Sequence, residues 1–178
     1  MPLPSRRLLL VALPLACVGA CAPAANYSAM VAGAPPGQAP APVYRNAIAV
    51  GSVTLGRDRG TPWTSAVSPD QVQQALVQTL AAAGLGRPAN GRFRLDGMLL
   101  TLDRPYAGFA MTVTATIAWR LTDTTNGAAV YDRAFRTLGT ATLDDAIDNN
   151  NRLRIADQRA VRANLQGLVQ DLYALPSR

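Results

Sequence analysis

From Met111 to Leu121 the chain alternates without a break. Met111, Val113, Ala115, Ile117, Trp119 and Leu121 fall on one side, and Thr112, Thr114, Thr116, Ala118 and Arg120 on the other. A period of two predicts a strand with one buried and one wet face. Before it, Arg92–Leu102 alternates until Asp96-Gly97, where the apolar phase slips by one: Phe93 and Leu95 precede the slip, and Met98, Leu100 and Leu102 follow it. One extra residue flips all later side chains, so a bulge is expected at Gly97. After Asn126-Gly127, a strong turn signal, Ala129–Thr140 returns as a third strand with Val130, Tyr131 and Phe135 as its bulky members. An earlier strand is predicted over Ala47–Leu55, rich in small and β-branched residues, with Gly51 marking a bulge or close approach.

Two helical patterns complete the order. Ser68 is a good N-cap, Pro69 suits the first helical position and Gln71 completes a capping box. Val72, Ala75, Leu76, Leu80 and Ala83 then recur at helical spacing, and Gly84 offers a left-handed C-terminal position onto which Leu85 can fold back. From about Ala156 to Leu175 a second stripe runs through Val161, Leu165, Leu168, Leu172 and Leu175. Gly167 inside it is expected to mark close packing on a strand, offsetting its cost of about 1 kcal/mol relative to alanine. Leu143–Ile155, centred on Asp148-Asn-Asn-Asn151, reads as irregular. The fold class is α+β in the order β-α-β-β-β-α. The expected architecture is an antiparallel sheet with both helices on one face, which buries each apolar stripe.

The first 43 residues follow different rules. Arg6-Arg7, an apolar run over Leu8–Val18, and then Gly19-Ala20-Cys21 give the charged, apolar and small-residue order of a secretory signal. The run is too short for a permanent span, which needs about 20 residues. Val18-Gly19-Ala20-Cys21 resembles the lipobox of bacterial lipoproteins, and Cys17, preceded by Pro14 and Leu15, fits that pattern less well. The resemblance implies removal of residues 1–20 and lipidation of Cys21, with diacylglycerol on the thiol and an acyl chain such as palmitate on the new amino group. Two or more chains make anchoring stable. Ala22 stands where an Asp would retain such proteins in the inner membrane, so the resemblance implies the periplasmic face of the outer membrane, with the inner membrane as the alternative. Residues 21–43, rich in Ala, Pro and Gly, read as the lipidated cysteine and an extended tether. Residues 44–178 read as one domain.

Composition narrows the chemistry. The chain has no histidine, lysine or glutamate, so its 17 basic residues are all Arg and its 11 acidic ones all Asp. That excludes Ser-His-Asp and Cys-His nucleophile systems, imidazole metal sites, Schiff-base chemistry and the P-loop lysine. Cleavage before Cys21 removes Cys17, one of two cysteines, and leaves no pair for a disulfide. The net charge of +6 would suit nucleic acid, but export argues against that partner. Lipopolysaccharide, peptidoglycan, anionic lipid and an envelope protein complex are the partners that a cationic exported domain suits. No cofactor is implied. Asp144-Asp145 reads as a solvated pair, and Asp-Asn-Asn-Asn lacks the alternating oxygen ligands of a calcium loop, so no metal site is predicted. The candidate binding site is the wet strand face of Thr112, Thr114, Thr116 and Arg120, a stripe of hydroxyls and one cation, with Arg92 and Arg94 or Arg133 and Arg136 as possible neighbours.

With this order of elements behind a lipobox, Ala47–Leu175 resembles the small periplasmic lipoproteins of Gram-negative bacteria, an uncharacterised outer-membrane family. It is more distantly similar to the lipopolysaccharide-assembly lipoprotein. The resemblance implies a membrane-anchored, non-enzymatic binding or assembly accessory of the cell envelope. Auxiliary lipoproteins of lipid-transporting ABC systems are a similar class and the alternative. A hydrolase of envelope substrates is a lesser one and would need two carboxylates converging in a pocket.

Overall fold

The computed structural model describes residues 25–56, 67–105 and 108–176. Cys21, with the rest of the signal and lipobox, and Trp63 lie outside the described residues. The elements are a short 3-10 turn (Tyr27–Met30), β1 (Ile48–Leu55), α1 (Pro69–Ala82), β2 (Phe93–Asp103), β3 (Met111–Asp123), β4 (Ala129–Ala141) and α2 (Asn149–Ala174). The sheet order is β1-β2-β3-β4, with both helices on one face.

β2, β3 and β4 form the antiparallel meander, but β1 pairs with β2 in parallel. The expectation of a wholly antiparallel sheet is corrected by the β1–α1–β2 connection: a helix crossing over the sheet returns the chain at the same end, which a tight hairpin cannot do.

α1 starts as its sequence dictates. Ser68 Oγ accepts from the Gln71 N–H at 3.3 Å, and the Gln71 side chain accepts from the Ser68 N–H at 2.9 Å. It ends with Gly84 at φ +65°, and Leu85 and Gly86 donate back to the Leu80 carbonyl. α2 begins seven residues before the expected Ala156, at Asn149. Asparagine is a poor helix former, but Asp148 caps the Asn151 N–H at 2.8 Å and the Arg152 side chain gathers the carbonyls of Ala146 and Ile147.

All six inward residues of β3 are buried, as the alternation requires. Trp119 is the largest fully buried side chain among the described residues. Its indole Nε1 donates to Asn164 Oδ1 of α2 at 2.8 Å, and Asn164 in turn donates to the Phe135 carbonyl and Thr137 Oγ1. Gly97 sits opposite Trp119, and a Cβ there would run into the indole. Gly97 therefore keeps its inward place and Met98 points outward. The bulge expected at Gly97 falls instead at Leu100, where the register shifts between Leu99 and Thr101. A second irregularity lies at Gly51-Ser52, where a Cβ on Gly51 would strike the Asp96 carboxylate.

The glycine that lets a helix approach a strand is Gly139, not Gly167. A Cβ on Gly139 would meet the backbone of Ala156 and Ala160 in α2, whereas nothing lies within 4 Å of one on Gly167. Gly139→Ala is expected to cost about 1–3 kcal/mol, because backbone cannot step aside as a side chain can. Gly167→Ala is expected to stabilise by about 1 kcal/mol through helix propensity. Paired thermal melts of the two variants measure both signs.

The Ala- and Pro-rich segment expected as a tether is part of the domain from Ala25 onward. Ala25, Met30, Ala32 and Tyr44 are buried in the core. Ala32 N–H donates to Thr79 Oγ1 at 3.0 Å, Gln71 Nε2 donates to the Ala25 carbonyl at 2.8 Å, and Tyr44 packs on Phe93 with ring centroids 4.9 Å apart. The two helices leave an apolar groove that this segment fills, and buried Thr79 supplies the hydrogen bond its backbone needs.

Candidate functional site

Because both helices cover one face of the sheet, the other is bare among the described residues. Register places its members. Arg94, Asp96 and Met98 come from β2, and Thr112, Thr114, Thr116, Ala118 and Arg120 from β3. Asp132, Ala134, Arg136, Leu138 and Thr140 come from β4. The predicted stripe thus shares one face, but most of its hydroxyls are already engaged. Thr116 pairs with Thr101 at 3.0 Å and Thr112 with Thr140 at 2.9 Å. Thr114, flanked in register by Asp103 and Leu138, is only 8% exposed. These contacts hold the meander together, and Arg120 is the member of the stripe that reaches a cavity.

That cavity is a shallow depression of about 340 Å³ lined by Ser52, Thr54, Arg94, Asp96, Gly97, Met98, Ala118, Trp119, Arg120 and Asp132. It is laid out as a row across three strands. Asp96 stands opposite Arg120, and Arg120 opposite Asp132, with Arg120 Nη1 and Asp132 Oδ2 3.6 Å apart. Asp96 accepts from the Ser52 N–H at 2.9 Å and from Arg94 Nε at 2.8 Å. Burial alone would push its carboxyl up, but these donors outweigh that and hold it below the usual carboxylate range. Ala118 and the exposed Met98 give the row an apolar floor and edge.

Of the expected neighbours, only Arg94 joins Arg120 in the depression. Arg136 stands on the same face opposite Thr116. Arg92 is engaged with Asp123 at 3.1 Å, and Arg133 faces the helix side, where it meets Asp171 at 2.8 Å. Asp96, Asp132, Met98 and the β1 residues Ser52 and Thr54 were not foreseen as site residues.

Two carboxylates do line the depression, but they are separated by the width of β3, about 10 Å at the usual strand spacing. Asp96 is fixed as an anion, and a general acid must hold a proton near working pH. The arrangement is better suited to recognition: a zwitterionic row beside an apolar edge, with exposed guanidinium groups able to take an anionic oxygen. Among the described residues no group of three or more His, Cys, Asp or Glu converges, and no helix is long and apolar enough to cross a membrane.

No protein-family model matches the chain, and neither does any curated protein sequence. Solved structures share its fold. Protein XCC0632 from Xanthomonas campestris, of family DUF330, is similar over 82% of this chain and 92% of its own, at 14% identity and a TM-score of 0.58. The PelC dodecamer from Paraburkholderia phytofirmans is similar over 76% and 93%, at 17% identity and a TM-score of 0.54. A minor lipoprotein from Acinetobacter baumannii shows a weaker likeness, covering 74% of this chain and 92% of its own at 15% identity and a TM-score of 0.48.

Proposed function

We propose that this protein is a lipoprotein anchored through Cys21 to the periplasmic face of the outer membrane. It acts there without catalysis, as a binding or assembly accessory of the envelope. The lipobox supports the anchor. The observation that carries the binding role is the bare sheet face with its charged depression, since a one-sided sheet leaves a preformed recognition surface. Asp96, Arg94, Arg120 and Asp132 supply the polar contacts, and Met98 the apolar edge.

The test is binding of lipopolysaccharide, phospholipid and peptidoglycan fragments to the lipidated protein and to Arg120→Ala, at two salt concentrations. Among the described residues Arg120 pairs with the exposed Asp132, so its loss should change stability by less than about 0.5 kcal/mol. A charge-assisted hydrogen bond to an anionic ligand is worth about 1.5–3 kcal/mol, so affinity should fall about ten- to a hundredfold, more steeply at low salt. Binding that the substitution leaves unchanged takes the depression out of the site. Failure of the wild type to bind any fragment points to a protein occupant, such as a lipid-transporting ABC assembly.

A further inference from the structure

The end of the molecule where β2 and β4 finish and α2 begins carries three exposed apolar side chains. Phe109 is 83% exposed, Ile147 89% and Leu143 45%. Hydrogen bonds tie down the described residues beside them. Arg152, in the first turn of α2, donates from Nη1 to the Ile147 carbonyl at 2.7 Å and from Nη2 to the Gly108 carbonyl at 3.3 Å, so one guanidinium ties both loops together. Arg159 holds Asp145 by two hydrogen bonds at 2.6 and 2.7 Å, and Asp145 accepts from the Thr142 N–H at 2.9 Å. A backbone tied in this way that presents Phe, Leu and Ile to water loses hydrophobic stabilisation unless something covers them.

The N-terminal chain says what does. Ala25 is bonded to Gln71 in the first turn of α1, so the described chain starts toward this same end and runs away from it to Ala32 beside Thr79. The C-terminal ends of the two helices meet where Tyr173 donates to the Ala83 carbonyl at 2.7 Å. α2 has 26 residues and α1 has 14, so at 1.5 Å per residue α2 overhangs α1 by about 18 Å. Three residues separate Ala25 from Cys21, so the four steps between them reach at most about 14 Å. Fully extended, that reach falls short of the overhang by at least about 4 Å, so the covalent tie to Cys21 and the apolar tips lie toward one end of the domain, with the tips foremost.

We propose that this end docks on the phospholipid surface, with Phe109, Leu143 and Ile147 inserted among the headgroups beside the acyl chains on Cys21. The inference rests on the lipid anchor proposed above. Docking stands the strands on end, points the Asn126-Gly127 hairpin away from the membrane and leaves the charged depression open to the side. Exposed Asp144, next to Leu143, resists deeper burial and holds the contact at headgroup depth.

The test uses the mature lipidated protein in vesicles of phosphatidylethanolamine and phosphatidylglycerol with brominated acyl chains. Ile147→Cys and the control Asn126→Cys carry an environment-sensitive fluorophore, and a Cys21 whose sulfur is held in a thioether to diacylglycerol has no thiol to take it. Label at position 147 should shift to the blue and be quenched several-fold more than label at 126. Phe109→Asp should weaken that quenching while flotation with the vesicles is kept. Equal quenching at the two positions overturns the docking, and so does a blue shift at 147 that grows with protein concentration in the absence of vesicles, which would mean that a second copy covers the tips. Wild-type protein that takes label at Cys21 and fails to float loses the anchor, and the docking with it. Flotation without quenching at 147 removes the docking alone.

Discussion

Replacing Trp119 with alanine is expected to destabilise the domain by about 3–5 kcal/mol, the range for truncating a large buried aromatic. Two costs combine. The indole is fully buried and fills the space that Gly97 leaves on the neighbouring strand. Its Nε1 is also the donor to Asn164 Oδ1, so the substitution leaves a buried amide oxygen without that partner. Asn164→Leu removes the other half of the bond and should cost less, because the indole's packing survives. Denaturant titration of both variants gives the comparison. A loss below about 1 kcal/mol for Trp119→Ala would mean that α2 does not seal the sheet as described.

Asp157→Ala is expected to be comparably severe. Asp157 is fully buried on α2 and joined by both carboxylate oxygens to Arg104, just past the end of β2, whose side chain is itself largely shielded. Burial pushes the Asp157 carboxyl up and the Arg104 guanidinium pulls it back, as expected of an ion pair held out of water. Breaking such a pair by removing Asp157 takes the carboxylate from a largely shielded guanidinium, which costs about 3–5 kcal/mol. The double variant Arg104→Met, Asp157→Leu replaces the pair with apolar groups of similar volume and should recover most of that loss. Equilibrium unfolding of the single and double variants measures the coupling. A double variant no better than Asp157→Ala would contradict the account of the single loss as a broken buried ion pair.

The reach of sequence reasoning differs between elements for identifiable reasons. β3 and α1 are legible because alternation and a capping box are local signals: every residue expected in the core from either element is buried, and Thr114 is the wet-face position that is buried as well. The bulge in β2 was legible in kind but not in place. Gly97 has no side chain to reveal its facing, and only the distant Trp119 assigns it to the core. That misplacement hid the apolar edge of the depression: with the slip at Leu100, Met98 falls on the wet face beside Arg94, Asp96 and Arg120. The N-terminal segment was misjudged because Ala, Pro and Gly describe a linker equally well whether or not it finds a groove. Thr79, a polar residue within the apolar stripe of α1, was the available sign that a backbone donor would meet it. Asn164 gave a similar hint on α2, as a polar residue beside Val161 and Leu165. The early start of α2 rests on Arg152 and on loop carbonyls that are contiguous only in the fold.

The proposed lipid on Cys21 is the premise from which the proposed location, orientation and partners all follow. Metabolic labelling with an alkyne analogue of palmitate, comparing the wild type with Cys21→Ser, tests it directly. The account predicts label on a wild-type protein that fractionates with the outer membrane. It predicts no label on Cys21→Ser, which should stay soluble or retain its signal. Equal labelling of the two proteins, or a wild type that takes up no label, would contradict it.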